Sequence, residues 1–308
     1  MQTERTFIDS LKHQYNYGGM AMRLIFINVS IFLIIRVADV FLSLGGMFPG
    51  SFLNDYVLPI FGLQTGFKEF ITHPWAIFTN MFAHYDFFHL LFNMVFLYFS
   101  GRIFEQLFDQ KRLLHTYLLG GIFGGLLEII AHSVFPKLEM SNDIVIGASG
   151  SIMAIFIAIA FFRPNMKVNL FGILPVRLIV LAVLFMLKDV LNLGSEDHVA
   201  HFAHLGGAIL GLLSVQNVHS SSNIVNKTQQ FGDWLQSLFS ARGNGKPKMK
   251  VKRGKGKNNQ RVKTDEEYNI EAQNKQDRIN SILDKISKSG YESLTKKEKD
   301  FLFNQSKK

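Results

Sequence analysis

Apolar residues gather into long blocks before position 218, and polar residues take over after it. The blocks run 21–43, 86–104, 112–135, 147–163, 171–192 and 199–217. Each holds about 17–24 residues, close to the roughly 20 that a helix needs to cross a 30 Å hydrocarbon layer. The pattern predicts an all-α membrane protein, a bundle of six crossings over 21–217 preceded by a cytoplasmic segment 1–20. The connection 44–85 is too long for a turn, poor in charge and rich in Phe, Gly and Pro. With Tyr56 and Trp75 it reads as a segment lying in the membrane interface, an ordinary ordered loop being the alternative.

Basic residues set the orientation. Arg5, Lys12 and Arg23 precede or open the first block; Arg102, Lys111 and Arg112 flank the turn after the second; Arg163, Lys167 and Arg177 follow the fourth. The alternate connections carry one each, Lys68, Lys137 and Lys188. This asymmetry places both termini in the cytoplasm, with the first crossing acting as an uncleaved anchor.

Beyond the last block, Phe231, Trp234, Leu235, Leu238 and Phe239 recur at helical spacing, which predicts an amphipathic helix on the inner leaflet. Arg242 to Lys263 then carries ten Lys and Arg and no acid. That stretch completes a linker, 218–263, drawn to anionic lipid at about 1 kcal/mol per basic residue near the surface, or simply solvated. Ile279, Ile282, Leu283 and Ile286 form an i, i+3, i+4, i+7 stripe ended by Gly290, and Thr295-Lys296-Lys297-Glu298 is a capping box. The segment 264–308 is therefore expected to be a small cytoplasmic helical hairpin, with a core small enough to invite a protein partner.

The formal net charge of +9 raises the question of nucleic-acid binding. The basic residues instead concentrate in inside connections and one tail run, so that reading is set aside. The chain has no cysteine, which excludes disulfides, thiol catalysis and thiolate metal sites.

Polar side chains at membrane depth are costly and mark function by default. His89 falls about three residues into the second block, Ser149 about two into the fourth and His204 about five into the sixth. These blocks run in the same direction, so all three sit roughly 3–8 Å below the outer end of their helices. A serine hydroxyl needs a base to take its proton, and His204 fits that role. The oxyanion formed on a carbonyl needs donors already aimed at it. His89 and Asn93 share a helix face, and Ser149 stands where free N–H groups and the positive dipole end collect. Ala203, Gly207 and Gly211, echoed by Gly150 and Ala154, are small residues that let two membrane helices approach closely. Each motif alone has a plainer reading: Gly147-Ala148-Ser149-Gly150 as close packing, and His198, His201 and His204 as metal ligands. The metal reading is set aside because no acid or Cys within the spans completes an obvious set, which leaves His201 as a polar neighbour or a hydrogen-bond partner of the site. Glu128 and His132, like Arg36 and Asp39, read as structural pairs.

Taken in order, Pro74-Trp75, His84, His89-xxx-Asn93, Gly101-Arg102-xx-Glu105, Gly147-Ala148-Ser149-Gly150 and Ala203-His204-Leu205-Gly206-Gly207-xxx-Gly211 resemble the rhomboid family of intramembrane serine proteases over roughly 70–215. The resemblance implies a six-helix core and a dyad of Ser149 as nucleophile and His204 as general base, with no third acid. It assigns the oxyanion hole to His89, Asn93 and the Ser149 N–H. Single-span membrane proteins cut near the outer end of their helix would be the substrates, with no metal or nucleotide cofactor, in a bacterial inner membrane. The terminal hairpin is similar to a helical module appended to some bacterial relatives. Two departures stand out: the first outer loop lacks a Trp-Arg pair, and Met153 occupies a position that is often aromatic and packs on the catalytic histidine. The rival readings are a catalytically inactive rhomboid-like protein that binds membrane helices, and a histidine-lined transporter using His198, His201 and His204.

Overall fold

The computed structural model describes residues 6–46, 51–139, 144–170, 172–195, 199–240 and 278–306. They fall into two compact units, 1–244 and 245–308.

The first unit opens with α1 (Phe7–Tyr17), N-capped by Thr6, whose hydroxyl accepts from the Asp9 N–H at 3.2 Å. The sequence pattern did not suggest this helix, since its polar residues outweigh its apolar ones. The first long helix, α2 (Gly19–Leu44), starts at a fixed point, because Glu105 accepts the N–H groups of Met20 (2.5 Å) and Ala21 (3.1 Å). A π turn (Leu53–Val57) and α3 (Leu58–Phe61) lead to β1 (Leu63–Gln64), α4 (Phe67–Thr72) and α5 (Ala76–Thr79). The connection 51–85 is thus a structured element. Leu63 is fully buried in it, while Phe61, Phe67, Ile71 and Phe78 stay exposed.

Next come α6 (Phe87–Leu107), α7 (Gln110–Val134), the single turn α8 (Pro136–Glu139), β2 (Ile144–Val145) and α9 (Ser149–Phe162). A hairpin of β3 (Lys167–Leu170) and β4 (Leu174–Arg177) precedes α10 (Leu178–Leu191), followed by α11 (His201–Val215) and α12 (Ile224–Ser240). Among the described residues three helices, α2, α6 and α7, are long and apolar enough to cross a bilayer.

The fifth crossing differs from expectation. Residues 172–177, counted with the helix on hydropathy, belong to the β3–β4 hairpin or its turn, with Val168 paired to Val176 and Lys167 to Arg177. Gly172 at φ +75° and Pro175 explain why this apolar stretch does not wind into helix. The remaining helices α9, α10 and α11 have 14, 14 and 15 residues, or about 21–23 Å at 1.5 Å per residue. For α9 the shortness has a physical reason. It is buried on every side from Gly150 to Ala160, so its flanks meet protein and it needs no lipid-spanning length of its own.

Around α9 stand α7, α11 and α6. Contact with α11 is at backbone distance, since a Cβ at Gly207 would overlap the Gly150 carbonyl and one at Gly211 would stand 2.5 Å from the Ala154 oxygen. We expect Gly207→Leu to destabilise the bundle by at least the roughly 1–3 kcal/mol typical of overpacking, read as a lower thermal midpoint in detergent. At the other end of α7, buried Arg112 donates to the Ser214 carbonyl, to Asn223 Oδ1 (3.1 Å) and to Asn226 Oδ1 (2.7 Å). One guanidinium thereby ties α7 to the end of α11 and the start of α12. The exposed Phe231 and Trp234 of α12 agree with the predicted amphipathic helix.

In the second unit, α13 covers 278–289 and α14 spans Lys296–Ser306. Ile282 and Leu294 are buried, while Leu283, counted in the apolar stripe, is half exposed. Half of the capping box forms: Glu298 accepts the Thr295 N–H and hydroxyl at 2.7 Å and the Lys285 ammonium at 3.0 Å, while the Glu298 N–H bonds the Thr295 carbonyl at 3.0 Å instead of the Thr295 side chain. These bonds, Thr295 foremost, hold the Glu298 carboxyl down at about 2. The polybasic stretch 242–263 lies outside the described residues.

Candidate active site

Ser149 is the first residue of α9, half-buried, and its position is fixed by what precedes it. β2 pairs with β1 (Leu63 opposite Val145, Gln64 opposite Ile144), and the Tyr85 hydroxyl donates to the Ile144 carbonyl at 2.5 Å. The Gly147 N–H then donates to the Asn80 carbonyl at 2.9 Å, and Gly147 turns the chain at φ +123°, a conformation that favours glycine. Helix α9 starts there with its first N–H groups unclaimed by the helix.

His89 and Asn93 lie over that turn. They are the third and seventh residues of α6, whose start is capped by Asp86 accepting the His89 N–H at 2.9 Å. A Cβ on Gly147 would stand 2.7 Å from His89 Nε2 and 3.8 Å from Asn93 Nδ2, so both donor side chains face the backbone two residues before the serine. Asn93 Nδ2 also donates to the His89 carbonyl at 3.0 Å. Behind them the buried ring of His84 meets His89 edge-on at 5.0 Å. Burial, reinforced by the His89 ring, pushes the His84 imidazole down to about 3, so it stays neutral.

His204 is the fourth residue of α11. It follows Ala203, whose carbonyl would stand 3.1 Å from a Cβ on Gly150, the residue after Ser149. Nucleophile and base candidates therefore flank a close backbone approach of α9 and α11. Among the described residues no hydrogen bond joins Ser149 to His204. Such bonds are commonly long without substrate and tighten in the complex. The Ala203 N–H donates to Glu128 on α7 at 2.8 Å, and Glu128 also pairs with His132 at 3.5 Å, the partnership read from spacing. Arg36 and Asp39 stand 3.8 Å apart as expected, and Arg36 reaches further, to the Tyr85 carbonyl.

One functional candidate escaped the sequence reading. Asp189 on α10, only 2 % exposed, brings both carboxylate oxygens to 3.1 Å from His204 Nδ1 and its Oδ1 to 2.8 Å from His201 Nδ1. The expectation that no acid within the spans joins this histidine group is thus corrected. A carboxylate near the end of an apolar run was the available sign; its partners depend on how α10 packs against α11, which spacing does not reveal. Ligand atoms of Asp189, His201 and His204 lie within 4.8 Å of one another, a donor set that suits zinc in kind. The 2.8–3.1 Å separations are hydrogen-bond lengths. His198, the third histidine of the metal reading, lies outside the described residues. Met153 is buried with Ala182 of α10 and Ala208 of α11.

Residues 72–220 match the Rhomboid domain family, and 263–308 match a family of unknown function (DUF6576). The chain is 27% identical over 173 residues to RHOMBOID-like protein 12, mitochondrial, of Arabidopsis thaliana, covering 53% of this chain and 50% of that protein. It is 33% identical over 142 residues to RHOMBOID-like protein 1 of the same plant (45% and 33% covered). Against Rhomboid protein 1, mitochondrial, of Saccharomyces cerevisiae it is 27% identical over 169 residues (53% and 45%). The chain spans half or less of the length of these three relatives.

Proposed function

This chain belongs to the rhomboid family of membrane-integral proteins, and we propose that it is an intramembrane serine endopeptidase. The observation that carries this reading is the convergence of three elements. Ser149 opens α9, the His204-bearing helix packs on α9 through Gly150 and Gly207, and His89 and Asn93 lie over Gly147. In the proposed reaction Ser149 Oγ attacks the scissile carbonyl carbon as His204 Nε2 takes the hydroxyl proton. The oxyanion is met by His89, Asn93 and the Ser149 N–H. His204 then returns the proton to the leaving amine, and water, deprotonated by the same imidazole, releases the acyl group.

A helical substrate has its amides bonded within the helix, so the cut site needs small or helix-breaking residues near one interface. The distribution of Lys and Arg supports placing the site toward the outer face, with both termini cytoplasmic. A bacterial plasma membrane is part of the proposal, carried by the sequence resemblance alone. The ten basic residues after α12, following its exposed Phe231 and Trp234, support attachment of that region to anionic lipid.

The test is cleavage in liposomes of a tagged single-span protein carrying Gly and Ser in the outer third of its helix. Products cut within that third by the wild type, and not by Ser149→Ala, are expected. Equal cleavage by both proteins would remove the assignment.

A further inference from the structure

We propose that Asp189 is the positioning residue of the general base, completing a Ser149–His204–Asp189 arrangement in which His201 holds the carboxylate. This rests on the protease reading above. An ionised carboxylate only accepts hydrogen bonds, so contacts at 2.8 and 3.1 Å to two imidazole Nδ1 atoms place a proton on each Nδ1. His204 is thereby held in the tautomer whose Nε2 carries the lone pair, the state that takes a proton from Ser149. Both Asp189 oxygens stand 3.1 Å from His204 Nδ1, whereas His201 bonds Oδ1 alone. Tying α10 to α11 would require only the His201 bond; the bifurcated contact is directed at the base. Asp189 and His201 are 2 % and 3 % exposed, so water does not compete for these bonds, and His201 fixes the carboxylate from behind. The logic is that of any serine site in which the base is itself oriented by a third group.

The experiment is fluorophosphonate inactivation of the full-length protein in detergent, resolved into kinact and KI. Asp189→Asn should lower kinact about 10²- to 10⁴-fold, the upper bound being that of an equivalent change in a soluble serine triad, with KI unchanged. A purely structural tie would lower the melting temperature and leave kinact of the folded fraction alone. Asp189→Asn with kinact within about threefold of wild type therefore overturns the proposal. So does wild-type labelling that is lost on chelation and restored by zinc, which would make the cluster a metal centre. Should the variant not fold, wild-type protein with ¹⁵N-labelled histidine, assigned through His204→Gln, gives the answer by NMR. A proton on His204 Nδ1 supports the proposal, and one on Nε2 of the neutral ring overturns it. Should the wild type carry no adduct on Ser149, it is the protease reading that fails, and the tautomer still tests the hydrogen bond.

Discussion

Ser149→Ala is expected to abolish both cleavage and fluorophosphonate labelling, and His204→Ala to reduce both to background. The two losses should be equally complete. A serine hydroxyl is not nucleophilic at neutral pH until a base accepts its proton, and among the described residues no competing hydroxyl bonds the His204 imidazole. In serine proteases removal of either member costs about 10⁶-fold in kcat, beyond the range of most membrane assays. Folding should survive in both variants. Ser149 is half-buried and makes no side-chain hydrogen bond among the described residues, and Asp189 keeps its 2.8 Å bond to His201 when His204 is lost. Thermal melts of the two variants within a few degrees of the wild type would confirm that chemistry, not structure, was removed.

The second large effect is expected at the oxyanion donors. Asn93→Ala should lower kcat by about 10²- to 10³-fold, the usual cost of one such donor, and leave KM near the wild-type value. The reasoning is geometric. Asn93 Nδ2 and His89 Nε2 face the turn before Ser149 from one helix, and the α9 N-terminus supplies further N–H groups. Losing one donor weakens the oxyanion without removing nucleophile or base. His89→Ala should have a similar effect on kcat, and steady-state kinetics in liposomes separates the two parameters. A rise in KM alone would make Asn93 a substrate-binding residue.

Most of the architecture was legible because apolar length dominates membrane helices. The helices α2, α6 and α7 begin and end within three residues of the blocks read from hydropathy. Ser149 and His204 could be singled out in the sequence because helices of like direction start at one depth, and small residues mark where helices touch. Three features were hidden, each for a physical reason. Residues 172–177 are apolar enough for a helix, yet Gly172 and Pro175 favour a turn and an extended edge. The segment 51–85 folds around buried Leu63, a tertiary fact that its local composition does not carry. Asp189 lies near the end of α10 beside Lys188, where a sequence reader sees a polar helix terminus. Only the rotation of α10 about its axis turns that carboxylate toward His204.

The most direct measurement of the central claim needs no substrate. Protein purified in mild detergent is treated with a small fluorophosphonate, and the adduct is mapped by mass spectrometry beside Ser149→Ala and His204→Ala. A stoichiometric adduct on Ser149, absent from both variants, is the predicted result. Folded wild-type protein without an adduct, or labelling of Ser149 that persists in His204→Ala, would contradict an activated serine in this membrane site.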